Sequence, residues 1–290
     1  PPPIFFLQPQ PGLRDAQESR GLGDVYKSQF KKVTLEEKDN VGIMRLNDPD
    51  AMNAVSDEML EGLWDCLNAV EEKESNIKCL VFTGEGRGFC AGANLAARPG
   101  QSNQGRQDAG ERLETGYHPI LRRLKNLKIP LITSVNGPAA GAGMSLALMG
   151  DMIVAGKSAF FLQAFRRIGL VPDAGSTWIL PRLVGMARAK ELAVLGERLS
   201  AEKALEWGLI NRLYEDSDLL NETITLAKEL AMGPMSLGLI RKAFWDSFDN
   251  SYEEQLNLER DLQFIAGQSD DFKEGVKAFL EKRDAKFSGK

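Results

Sequence analysis

Positions 131–151 read L-I-T-S-V-N-G-P-A-A-G-A-G-M-S-L-A-L-M-G-D, and no other stretch limits the fold so tightly. The run Leu131–Val135 is short and apolar, which suits a buried strand. Asn136, Gly137 and Pro138 break it, small residues lead to Gly143, and helical character follows over 144–149. Glycine and alanine let a second backbone or a ligand come close, and glycine adopts positive φ without penalty. The first turn of a helix leaves amide N–H groups without partners and carries partial positive charge. A carbonyl oxygen turning into an oxyanion is stabilised by such donors. Taken alone, the same residues fit close strand–helix packing with no ligand equally well.

A second stretch separates the two readings. Residues 79–83, C-L-V-F-T, form another apolar strand candidate, and G-F-C-A-G-A-N-L follows from Gly88. Together with V-N-G-P-A-A-G-A-G, this resembles the two oxyanion-hole segments of the crotonase family, the enoyl-CoA hydratase/isomerase superfamily. Further matching motifs come in the same order: I-G-L-V-P-D-A-G-S-T-W from Ile168, L-P-R-L-V-G from Leu180 and L-S-A-E-K-A-L-E-W-G-L-I from Leu199. The likeness spans residues 30–290. It is nearest to the phenylacetate-pathway branch, whose members isomerise ring-epoxide and unsaturated acyl-CoA thioesters.

Composition sets the outer bounds. A chain of 290 residues can bury about three quarters of its unfolded surface. With 43% apolar and 27% charged residues, it has the make-up of an ordinary globular protein. A net charge of −5 argues against a nucleic-acid partner. No apolar run approaches the roughly 20 residues of a membrane span, so no membrane is expected. Cys66, Cys79 and Cys90 are too few and too scattered for a disulfide framework or a metal knuckle. A reducing compartment follows, with the cytoplasm as the expected location. His118 is the sole histidine, which argues against a Ser–His–Asp triad and a multi-histidine metal site.

Local patterns divide the chain. Residues 1–29 are read as a disordered extension or processing remnant, 30–195 as the core and 196–290 as a C-terminal helical region for lid and trimer contacts. V-T-L-E-E-K-D-N-V-G-I-M-R-L from Val33 predicts a hairpin turning at Asp39-Asn40. Asp48-Pro49-Asp50 makes the next turn, and Ser56 caps a helix on which Met59, Leu63, Cys66, Leu67 and Val70 recur at helical spacing. Residues 98–115 are polar and glycine-rich, a solvated loop by default, and a helix is predicted over 120–127, with His118 at its start or on a pocket wall. Strands alternating with helices over 77–155 indicate βαβ units with right-handed crossovers. Helices are predicted over 187–195, 201–207, 218–232, 237–248 and 252–268. The fold class is therefore α/β, and the resemblance specifies a crotonase-like spiral of stacked ββα units with a C-terminal helical region.

The resemblance also assigns chemistry. Its oxyanion hole falls on the backbone N–H groups of Ala91 and Ala142, with Gly92, Ala93, Asn94 and Gly141 beside them at the substrate. Ala51, Asn53 and Ala54 fall in the loop that lies along the pantetheine and adenine of coenzyme A. Family hydratases hold their water between two glutamates, and the aligned positions here are Ser145 and Phe165, which the resemblance places against the substrate but neither of which performs acid–base work near neutral pH. Asp173 matches the carboxylate that several family isomerases use to move a proton. Read without the family, an Asp between Pro and Ala-Gly is a turn or N-cap residue. Burial beside Phe160, Phe161, Phe165 and Trp178 would raise its pKa. Phe279 and Lys282 fall on a terminal helix that lies over the ligand in relatives. A lysine there meets the coenzyme A phosphates or simply faces solvent. The expected activity is isomerisation of a 1,2-epoxyphenylacetyl-CoA-like or 3-enoyl-CoA thioester, in a homotrimer or homohexamer. No metal or redox cofactor is implied, since coenzyme A arrives with the substrate. The rivals are an enoyl-CoA hydratase with an unusual water site, a dehalogenase-like enzyme using Asp173 as nucleophile with a histidine partner, and a non-catalytic acyl-CoA-binding paralogue.

Overall fold

The hairpin predicted from Val33 forms as expected. β2 (Val33–Lys38) and β3 (Val41–Leu46) pair antiparallel around Asp39 and Asn40. Both turn residues are left-handed, with φ of 53° and 62°, the conformation that matches the strands' twist in a two-residue turn. A preceding strand, β1 (Tyr26–Phe30), pairs with β2, so residues 26–29 belong to the sheet and not to the extension expected over 1–29. The computed structural model describes residues 26–95 and 109–289, and the remainder of that extension lies outside them.

From β3 onward the sheet is parallel. Its order is β1-β2-β3-β4-β5-β7-β10, with β4 at Cys79–Gly84, β5 at Leu131–Val135, β7 at Met152–Gly156 and β10 at Arg212–Tyr214. Parallel strands are covered on both faces, which is why β4 reads as an unbroken apolar run. Alternate residues feed two separate cores. Met44, Leu46, Leu80 and Phe82 join Met59, Leu63 and Leu67 of α1 (Asp57–Glu71). Val41, Ile43, Cys79 and Val81 face the other way, against Leu219, Leu226, Ala227 and Ala231 of α8 (Leu219–Ala231). The Ser56 hydroxyl caps α1, accepting from the Met59 amide at 3.2 Å.

A second sheet, β6-β8-β9, is built from Pro138–Ala140, Phe160–Leu162 and Arg198–Ser200. β9 and β10 extend strand pairing past residue 195, so the two sheets do not close at the boundary read from sequence. The described part of the 98–115 loop is also more ordered than its composition suggests: α2 (Ala109–Arg112) and a π turn (Leu113–Tyr117) run straight into α3 (His118–Asn126). The expected C-terminal helices appear as α6 (Met186–Leu195), α7 (Ala201–Glu206), α8, α9 (Ser236–Ser247) and α10 (Tyr252–Gly267). α5 (Ser176–Val184) precedes them and α11 (Asp270–Glu281) ends the series.

α9 is tied to the core by one buried cation. Arg241 donates to Asp151 at 2.7 Å and to the carbonyls of Leu124, Lys125 and Leu127 at the end of α3. Trp245, one turn further on, stacks parallel on Trp178 of α5 with ring centres 6.1 Å apart.

Candidate active site

Parallel strands deliver their loops at their C-terminal ends, and here the loops after β4 and β5 meet. Two asparagines hold them. The Asn136 carbonyl accepts from the Gly84 amide at 3.2 Å, and its NH2 donates to Gly86. Asn53 is fully buried, accepts from the Asp48 amide at 2.8 Å and donates to the carbonyls of Glu85 and Gly88. With every polar atom of the Asn53 side chain engaged inside the protein, the substrate contact expected of that side chain is corrected: it is a strut between the 48–53 turn and the loop after β4. Sequence reasoning missed Asn136, although an asparagine leaving a buried strand is a signal for such a strut.

The donor geometry changes one expectation. The Ala91 amide donates to the Met52 carbonyl at 3.0 Å, so it is not available to a ligand. One residue on, the Gly92 carbonyl accepts from Val55 at 2.7 Å. A trans peptide points its N–H opposite to its C=O, so the Ala93 N–H faces away from Val55. Gly92 has φ +100°, and a Cβ on it would lie 2.7 Å from the Ala140 carbonyl oxygen and 3.6 Å from the Ala142 nitrogen. Only glycine fits there, and the contact brings the 91–94 segment against residues 140–142. α4 (Ala142–Ala147) starts at this point, with Gly141 O accepting from the Ser145 amide at 3.2 Å. The Ala142 N–H therefore projects out of the helix. Among the described residues, no acceptor meets either the Ala93 or the Ala142 amide.

Ser145, on the same short helix, is wholly buried. Its hydroxyl donates to the backbone carbonyl of Asp173 at 3.0 Å, which corrects its expected contact with substrate. Asp173 is half-buried, with Oδ1 shielded from solvent. It occupies a sharp turn before α5, where Ala174 and Gly175 are both left-handed with φ of 51° and 81°. Phe165 is 5% exposed and its ring edge lies beside Gly141. Of the four aromatics expected around Asp173, Phe165 is the one seated on the oxyanion loops. Phe161 is core, Arg198 covers Phe160, and Arg182 covers Trp178.

The remaining expected positions fall into two groups. Ala51 and Asn94 are half-buried and Ala54 is 9% exposed, all on the segments that pair at the Val55–Ala93 bridge. Phe279 and Lys282 are exposed at the end of α11. Phe279 lines a cavity of about 820 Å³ between α9, α10 and α11 whose walls include no residue of the oxyanion loops or the Asp173 turn. Within this chain, then, the two groups are not brought together. His118 sits at the start of α3 with Nδ1 2.7 Å from Glu114. Arg122 and then His118 hold the Glu114 carboxyl down at about 2, a surface ion pair and not a catalytic dyad.

The enoyl-CoA hydratase/isomerase family model matches residues 36–290. The chain is 48% identical over 248 residues to the 1,2-epoxyphenylacetyl-CoA isomerase of Escherichia coli, covering 85% of this chain and 94% of that one. It is 40% identical to a probable enoyl-CoA hydratase of Rhodobacter capsulatus, covering 90% and 99%. The solved enoyl-CoA hydratase subunit I of Geobacillus kaustophilus superposes with a TM-score of 0.82 at 35% identity, covering 91% and 100%. The chain belongs to the enoyl-CoA hydratase/isomerase family. It is an enzyme of crotonase fold, in a family that acts on acyl-CoA thioesters.

Proposed function

We propose that this enzyme is an acyl-CoA isomerase that moves a proton through an oxyanion-stabilised enolate, on a 3-enoyl-CoA or a ring-derived 1,2-epoxyphenylacetyl-CoA-like thioester. The observation that carries this reading is the donor–base arrangement around α4. The Ala142 amide leaves its first turn and Ser145 on its buried side grips the Asp173 turn; the family resemblance adds that Ser145 and Phe165 fall at the positions of the hydratase carboxylates. The Ala93 and Ala142 N–H groups hold the thioester oxygen. As the α-proton leaves, charge builds on that oxygen, where fixed backbone donors act most strongly. Asp173 takes the proton from one carbon and returns it at another, so a single carboxylate completes a 1,3-shift. Opening of a ring epoxide draws on the same enolate. The 48% identity to an epoxyphenylacetyl-CoA isomerase supports this choice.

Coenzyme A enters as part of the substrate, along the segment of Ala51 and Ala54, and the chemistry needs no metal or redox group. Self-association to a trimer or hexamer is supported by apolar side chains left on the C-terminal helices: Phe244 is 71%, Phe264 70% and Phe279 83% exposed. An apolar surface of that kind is covered in most working assemblies. Cys66, Cys79 and Cys90 are free and buried, in keeping with a reducing compartment such as the cytoplasm.

Asp173→Asn tests the proposal. It keeps shape and removes the base, so kcat should fall by about 10²–10⁴-fold with substrate affinity little changed. A panel of acyl-CoA thioesters followed by mass spectrometry fixes the reaction class, because isomerisation leaves the mass unchanged and hydration adds a water. Near-native kcat in folded Asp173→Asn would withdraw the mechanism.

A further inference from the structure

Ser145 sits where hydratases of the family place a glutamate, and its hydroxyl has a use of its own. A serine inside a helix ordinarily returns its hydrogen bond to the carbonyl four residues back. Here that carbonyl, Gly141 O, is 3.4 Å away, while Asp173 O, across in another segment, is 3.0 Å away. A hydroxyl has one proton, and the shorter contact takes it. The Asp173 carbonyl also accepts from the Ser176 amide at 3.1 Å. Two donors thus fix one peptide oxygen at the entrance to a turn whose next residue, Ala174, is held at φ +51°. Left-handed backbone at a non-glycine residue persists only where its surroundings enforce it.

We propose that Ser145 is a positioning residue that holds the Asp173 turn in register with the oxyanion helix. The inference rests on the proposed role of Asp173 as the proton carrier. Ser145 touches no substrate, because it is fully buried, and it acts through the Asp173 backbone. The hydratase residue cannot serve in this way, because an ionised glutamate would offer acceptor oxygens to a carbonyl that needs a donor. The serine that stands in place of a water-holding carboxylate is thus also the support of the isomerase base.

A double-mutant cycle with a 3-enoyl-CoA substrate tests this. Ser145→Ala should lower kcat by on the order of 10–100-fold, the scale of a small misplacement of a catalytic group, with KM nearly unchanged and the protein folded by circular dichroism. Ser145→Thr, which keeps the donor, should recover most of the loss. Added to Asp173→Asn, Ser145→Ala should cost nothing further, since the group it positions is already inactive. Wild-type kcat in Ser145→Ala overturns the proposal. So does an equal fold-loss in both backgrounds, which would mean that Ser145 supports the Ala142 donor instead. Wild-type kcat in Asp173→Asn alone removes the functional reading itself, a result separate from any outcome at Ser145.

Discussion

The Ala91 amide donates to the Met52 carbonyl at 3.0 Å, and in the proposed mechanism this one bond shifts the oxyanion donor two residues along the chain, to Ala93. Side-chain deletion cannot test a backbone donor, but an amide-to-ester exchange can. Lactic acid incorporated at position 93 replaces the N–H with oxygen and keeps the geometry. kcat should fall by about 10²–10³-fold, with stability nearly intact. The same exchange at position 91 removes an internal hydrogen bond instead, worth about 1 kcal/mol, and should lower the melting temperature while leaving kcat within a few-fold. Ala142→Pro provides the companion test: Ala142 is the first residue of α4, where proline is tolerated because its N–H is not used by the helix. That variant should fold and lose turnover. Reversal of the pattern at 91 and 93 would restore Ala91 as the donor.

The expectation over Ala91 went wrong for a physical reason. A motif names the segment, but which of its amides is free depends on where Met52 and Val55 lie, and those partners are far away in sequence. Local signals fared better. Asp39-Asn40 marked the hairpin turn, Ser56 the helix cap, and the apolar runs at 79–83 and 131–135 the central strands. β9 and β10 were unreadable because three residues are too few to show a period. Their pairing is set by β8 and β7. The π turn before α3 was hidden in a polar stretch whose composition resembles a loop. At the site, motif order marked the segments of Asp173 and Ala142, which folding joins through Ser145, but the hydrogen bonds of Asn53 and Ser145 were not legible, since both depend on backbone atoms brought in by folding.

Weak hydration is the next expectation. With Ser145 and Phe165 in place of two carboxylates, crotonyl-CoA should gain water far more slowly than the roughly 10 per second of a median enzyme. Ser145→Glu alone should not help, because it lacks its partner carboxylate and removes the donor to Asp173. Phe165→Glu places an ionisable group at a position 5% exposed, so burial should also lower the melting temperature. Hydration at median speed by the unaltered enzyme, read by absorbance of the enoyl thioester, would overturn the assignment of these two positions.

Acid should loosen the contacts that Asp271 makes with the C-terminus. Burial of Asp271 opposes its ionisation, but the amides of Met235, Ser288 and Gly289 and the Ser288 hydroxyl outweigh this and hold the carboxyl below the usual range. A depressed folded pKa means that the unfolded chain binds the proton first. The stabilisation is therefore complete above the unfolded value of about 4 and is lost as the pH falls through the folded one. Asp271→Asn should lower the melting temperature at pH 7, and the gap to wild type should narrow below about pH 4. Calorimetry at both pH values reads this directly. A gap that stays constant across the range would show that the charge of Asp271 contributes nothing.

Arg241 makes the sharpest stability forecast, because several segments converge on it. Its side chain is 2% exposed and that of Asp151 is 24% exposed. Asp151 further accepts from the Leu131 amide at 2.8 Å and from the Trp245 indole at 3.2 Å. Arg241→Met keeps apolar volume and removes five donors, leaving three carbonyls at the end of α3 and one carboxylate without their main partner. Removing one member of a buried pair costs about 3–5 kcal/mol, and the partial exposure of Asp151 places the expectation at the lower end of that range. Urea unfolding measures it. Asp151→Asn in the Arg241→Met background should recover part of the loss, since the stranded charge is gone, although the Leu131 and Trp245 donors meet different carboxylate oxygens and only one of them keeps an acceptor. If the double variant were less stable than Arg241→Met, the cost would lie in the unsatisfied carbonyls of α3 and not in the charge left on Asp151.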